Sequence, residues 1–116
     1  MNKLLTTLLA TAGLMVSLPA LAGDSEDCHF HGSKAATQQV VASCAEKRQQ
    51  ALISGGKIDK SWQAIKPASF EQVDGQRGKE WKVTFNDPAA ADKAKETLFM
   101  FFTQQGNFIA ANFTGK

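Results

Sequence analysis

The chain is poor in the residues that usually announce chemistry. It has two cysteines, two histidines, three prolines and no tyrosine. The cysteines do not form a C-x-x-C pair, which removes the usual redox motif. Nine glycines are scattered at turn-like positions and make no phosphate-cradling loop. Thirteen basic residues against eleven acidic ones give a formal net charge of +2. Lys57, Lys60 and Lys66 read as solvated surface, not as the dense Lys and Arg cluster that holds nucleic acid. The apolar run Leu4 to Leu18 is shorter than the roughly 20 residues of a membrane-spanning helix.

That run has another reading. Met1-Asn2-Lys3 is a short basic start, Leu4 to Leu18 carries no charge, Pro19 breaks the run, and Ala20-Leu21-Ala22 gives a small-x-small cleavage pattern. Residues 1–22 are therefore expected to be a signal peptide. Residues 23–116 are expected to be one small domain with a polar arm over 23–32. Cys28 lacks the small-residue context of a lipoprotein cysteine, so no membrane anchor is expected after cleavage. Loss of Lys3 with the leader leaves the remainder nearly neutral. A domain of this size buries a modest core and gains from a covalent staple. In an oxidising compartment, the two cysteines are expected to form a Cys28–Cys44 disulfide. Closing a loop of about 15 residues is worth roughly 3 kcal/mol in the chain-entropy model. The alternatives are metal-bound thiolates or a redox pair.

Beyond the arm, Ser33 is read as the N-cap of a helix from about Lys34 to Ile53. Val40, Val41, Cys44, Ala51 and Leu52 lie near one face, with Arg48 as a polar interruption. Gly55-Gly56 stops the helix. A short helical piece from Asp59 to Ile65 carries Trp62 and ends at Pro67. A hairpin follows, with a weak strand Phe70 to Val73, turn residues Asp74-Gly75 and Gly78, and a strong strand Glu80 to Phe85. In the strong strand Trp81, Val83 and Phe85 face one way and Glu80, Lys82 and Thr84 the other, the alternation of a half-buried antiparallel sheet. Asn86-Asp87-Pro88 starts a short helix to about Lys95. Thr97 to Thr103 and Asn107 to Phe113 make a second hairpin. The expected fold class is α+β: one main helix packed on a small antiparallel sheet of about four strands.

The arm concentrates the polar chemistry. Asp24, Glu26 and Asp27 precede Cys28, and His29 and His31 are the chain's only histidines. In extended backbone His29 and His31 share one face while Cys28 and Phe30 share the other. Cys28 and Phe30 can then anchor the arm, leaving two imidazoles beside carboxylates. Imidazole with carboxylate suits copper, zinc or nickel, with His29, His31, Asp27 and Glu26 as candidate ligands. The plain alternative is an inert, solvated arm. The amino-terminal copper site that needs a third-residue histidine is not available, because Ser25 is the third residue after the expected cut. Enzyme readings lack parts: a disulfide disables either cysteine as a nucleophile, and Glu71, Asp74 and Glu80 lie on a hairpin surface. The chain is read as non-enzymatic.

The strand Leu98-Phe99-Met100-Phe101-Phe102 is apolar on both faces. It is either central and covered on both sides, or it presents an aromatic surface. The second reading makes Phe99, Phe101 and Phe108 a contact face for a periplasmic protein or an apolar ligand.

Three segments carry a resemblance: Cys28-His29-Phe30-His31-Gly32, Lys79-Glu80-Trp81-Lys82-Val83-Thr84-Phe85, and the tail Gly106-Asn107-Phe108-Ile109-Ala110-Ala111-Asn112-Phe113-Thr114-Gly115-Lys116. Over nearly all of residues 23–116 the sequence resembles a family of small exported proteins of Gram-negative bacteria classed as a domain of unknown function. The resemblance implies a periplasmic location and brings no activity with it. The helix-then-sheet order also looks like the cystatin-like or PepSY-like arrangement, which does not determine function. Exported material should begin at Gly23, and an intact mass that retains residues 1–22 would remove the expected localisation.

Overall fold

A strand with no polar face needs cover on both sides, and the architecture follows from that need. The computed structural model describes residues 28–116. The expected leader and the acidic residues Asp24, Glu26 and Asp27 lie outside the described residues. The apolar strand is β3 (Thr97–Thr103) of a four-stranded antiparallel meander. It lies between β2 (Gly78–Asn86) and β4 (Phe108–Asn112), with β1 (Pro67–Gly75) at the far edge. The single α-helix among the described residues, α1 (Gln38–Ser54), packs on one face of the sheet. Among the described residues, no helix is long and apolar enough to cross a membrane.

The helix starts at Gln38, later than expected. The Ala36 N–H donates to the Gln104 carbonyl at 2.8 Å, which ties residues before the helix to the β3–β4 turn. Thr37, not Ser33, is the N-cap, its hydroxyl accepting from the Val40 N–H at 3.2 Å. At the other end Gly56 sits at φ 74°, with the Lys57 N–H donating to Leu52 and the Gly56 N–H to Ile53. This is a Schellman stop, and it needs glycine at the left-handed position.

The buried stripe of α1 is Val41, Cys44, Ala45 and Gln49, with Val40 and Leu52 packing at its margins. Ala51, expected on this face, is exposed. Gln49 is 2% exposed because its amide Nε2 donates to the carbonyls of Trp62 and Ile65, at 2.7 and 2.9 Å. Those carbonyls belong to the 3-10 turn Lys60–Ala64 and its end. The buried amide therefore joins helix and turn, replacing water that these groups would otherwise keep.

Across from the helix stand Trp81, Val83 and Phe85 of β2 and Leu98, Met100 and Phe102 of β3, all buried as the alternation predicts. The short helix expected from Asp87 does not form. The Asp87 carboxylate accepts from the Ala89 N–H at 3.1 Å and Asp92 accepts from the Ala94 N–H at 3.0 Å. Each ends up capping its own turn, and only Lys93–Lys95 is helical, of the 3-10 kind. Two Asx turns in so few residues leave no run long enough to nucleate an α-helix.

Trp81 is 8% exposed, and its indole Nε1 has no hydrogen-bond partner among the described residues. A donor buried without an acceptor costs about 1–3 kcal/mol. Trp81→Ala should destabilise the protein by about 3–5 kcal/mol through lost packing. Trp81→Phe keeps a ring and removes the orphan donor, so its urea midpoint should correspond to within about 1 kcal/mol of wild type. Equal losses in the two variants would show that the ring does not pack as described.

Candidate functional site

The Cys28–Cys44 disulfide fastens the arm to the middle of α1, with 5.6 Å between the Cα atoms. No cysteine is free among the described residues. Two residues on, Asn107 holds the Phe30 backbone from both sides. The Phe30 N–H donates to Asn107 Oδ1 at 2.7 Å, and Asn107 Nδ2 donates to the Phe30 carbonyl at 2.9 Å. The side-chain amide thus acts as a one-residue strand partner. The ring of Phe30 packs against the core beside Gly106, where an added Cβ would meet the ring at 3.1 Å. Gly106 also has φ 105°, so two constraints select glycine there.

With Cys28 and Phe30 turned inward, His29 and His31 are exposed on the outer side. Their ring centroids are 4.8 Å apart and the planes nearly perpendicular, at 85°. The alternation expected of the arm therefore holds from Cys28 to His31. Asp27 and Glu26, the candidate acidic ligands, lie outside the described residues. Among the described residues, no group of three or more His, Cys, Asp or Glu is placed to hold a metal ion. The described part of the arm offers two imidazoles.

The aromatic residues expected to share one sheet face do not. The β3–β4 register shifts between Phe101 and Phe102, so Phe101 pairs with Ala110 but Phe102 pairs with Phe108. The bulge gives β4 one extra residue and moves Phe108 to the helix side. There it meets Phe102 edge-on at 5.7 Å and lies under the Arg48 guanidinium at 4.1 Å. Arg48, the apparent interruption of the helix stripe, covers apolar surface by this cation–π contact.

Phe99 and Phe101 remain on the outer face. Phe101 is only 9% exposed. Phe99 is covered by Lys82, whose Nζ is 4.9 Å from the ring centroid, and by the tail. Asn112 Oδ1 accepts from the N–H groups of Thr114 and Gly115 at 3.1 and 2.8 Å, folding the last residues over. Gly115, at φ 81°, lies so close that an added Cβ would meet the Phe99 ring at 3.3 Å. This Asx turn was not read from the sequence, although Asn112-Phe113-Thr114-Gly115 carries its signal.

The surface acids do not converge. Asp74 pairs with Lys79 at 2.8 Å, and the Lys79 hydrogen bond and charge hold its carboxyl below the usual range. Lys66 stands 3.8 Å from Glu46, and Glu71 is exposed on the edge strand. A family model with the description "family of unknown function" (DUF6488) matches residues 1–116. The chain belongs to DUF6488. No curated protein and no solved structure matches it. The arrangement is α+β, one main helix packed on a four-stranded antiparallel sheet.

In this DUF6488 member the site rests on one amide. Asn107→Ala should free the arm between the disulfide and Ala36, raising hydrogen exchange at the Phe30 amide by at least about tenfold. Asn107→Asp keeps the acceptor for the Phe30 N–H and should retain part of the protection. Unchanged exchange in Asn107→Ala would show that packing of the Phe30 ring alone orders the arm.

Proposed function

We propose that this chain is an exported, periplasmic, non-enzymatic accessory protein that binds a transition metal through its arm. The observation that carries the reading is the 4.8 Å separation of the His29 and His31 rings on the solvent side of an arm fastened from behind. Two imidazoles bound to one ion at about 2.0–2.1 Å per nitrogen place their centroids about 4.5–5.2 Å apart, for ligand angles from a right angle to tetrahedral. The observed spacing falls within that interval. Asp27 and Glu26 adjoin the pair in sequence and would supply oxygen ligands or orient the rings. Copper, zinc and nickel are the ions that suit imidazole with carboxylate.

The disulfide agrees with an oxidising compartment. The other reading, a contact face of Phe99, Phe101 and Phe108 for a protein or apolar ligand, has less support. Its three rings divide between opposite faces of the sheet, and the tail already covers Phe99.

Calorimetric titration of the disulfide-bonded protein with copper(II), zinc and nickel tests the metal reading. At least one ion should bind stoichiometrically. His29→Ala and His31→Ala should each weaken binding, and the double substitution should nearly abolish it. Asp27→Asn should cost less, within about 10–100-fold. Metal competes with protons for the neutral imidazole, so binding should weaken as pH falls through the ordinary histidine range near about 6.5. Equal, weak heats from wild type and the double variant would end the reading.

A further inference from the structure

The two imidazoles of the arm amount to half of a coordination shell. Zinc in a closed protein site takes about four ligands, tetrahedrally arranged, from His, Cys, Asp and Glu. His29 and His31 are the chain's only histidines, and its two cysteines are bonded to each other. In its disulfide-bonded form one chain therefore brings two imidazole ligands and no thiolate. Among the described residues no carboxylate joins the pair in a group of three.

The setting of the pair leaves it open to a second molecule. Both imidazoles are exposed on the outer side of the arm. The run that sets them side by side is short, because Cys28 has φ 51° and Gly32 has φ 90°, both left-handed. At these two residues the chain leaves the extended path, so the alternation that aligns His29 with His31 is confined between them. Behind the pair, the disulfide and the two bonds from Asn107 to Phe30 fix the segment to the body of the protein. The pair is thus a fixed, solvent-facing set of donors. The formal net charge is only +2, so two copies repel each other little.

We propose that two copies of this chain share one zinc ion, each contributing His29 and His31, about a two-fold axis through the metal. Such sharing depends on metal binding by the arm. Two-fold symmetry presents the same pair twice, which fills a tetrahedral shell with neutral imidazole nitrogens. Each chain has a single histidine pair, so assembly closes at the dimer and does not continue into chains. The ion holds the two arms together, and chelation returns monomers.

Zinc chloride titrated into the disulfide-bonded protein, followed by calorimetry and light scattering, tests the shared site. The heat should end at about one zinc per two chains. The mass should rise about twofold at that point, go no higher, and return to its starting value with EDTA. His29→Ala and His31→Ala should each prevent the rise while melting as wild type does, since both side chains are exposed. Asp27→Asn and Glu26→Gln should leave the end point and the doubled mass unchanged. Binding at one zinc per chain without a rise in mass would overturn the shared site and leave the arm as a metal ligand. So would loss of the dimer in Asp27→Asn or Glu26→Gln, growth beyond the dimer, or a mass already doubled without zinc and unmoved by it. No binding at all would end both the shared site and the metal reading of the arm.

Discussion

The rest of the structure depends on the two-sided burial of β3. Leu98, Met100 and Phe102 point to the helix and Phe99 and Phe101 away from it, so a single helix cannot satisfy the strand. The second face is covered by small, local means: Lys82 lies over Phe99, and the Asn112 turn folds Gly115 onto the same ring. Burying a phenylalanine side chain stabilises by roughly 1.5–3 kcal/mol, a large amount for a domain of this size. The tail is therefore part of the core architecture. The same turn lets Phe113 reach Trp62 on the helix side. Both faces of β3 thus receive cover from one short segment.

Polar side chains do the joining where apolar area is scarce. Gln49 bonds the helix to two carbonyls of the first 3-10 turn, and Asn107 bonds the β3–β4 turn to both polar groups of Phe30. Each replaces backbone pairing that the topology cannot provide, because neither the 3-10 turn nor the arm lies in the sheet. Buried backbone groups must find partners, and an amide, with donor and acceptor on one side chain, can satisfy two at once.

Much of this was legible in the sequence where hydrophobic alternation is strong. The bounds of β3, the inward residues of β2, the Cys28–Cys44 bond and the outward histidines follow from periodicity and compartment logic. The failures share a cause: a side chain whose partner is distant in sequence. The apolar helix stripe omits Gln49, whose carbonyl partners at Trp62 and Ile65 lie outside the helix. The helix begins at Gln38 because Ala36 is held by Gln104. Phe108 changes face because a bulge adds one residue to β4, and alternation counted along a strand does not register an insertion in its pairing. The Asp87 segment failed for the opposite reason, since strong local Asx turns replaced the helix that composition favoured.

The sheet ends at four strands because both edges are made poor templates. β1 begins with Pro67, has a register shift beside it, and carries the exposed Glu71 and Asp74. β4 is five residues long, bulged, and ends in the Asn112 turn, which bends the chain off the strand axis. Proline, charge, short length and bulges are the devices that prevent edge-to-edge pairing. Ile109, 44% exposed, is the one large hydrophobic left open among the described residues, and it lies on the bulged strand, where a regular ladder cannot extend. The tail covers Phe99 on the outer face, and beside it Phe101, Ile109 and Gly115 border an open hollow of about 970 Å³. Two further surfaces border α1. One is polar and fixed from behind by a disulfide and an amide. The other, at its C-terminal end, is a cleft with an apolar floor and a rim of lysines and aspartates in equal number. The same shortage of apolar residues that makes the core depend on its tail leaves the arm to be fastened by one disulfide and one side-chain amide.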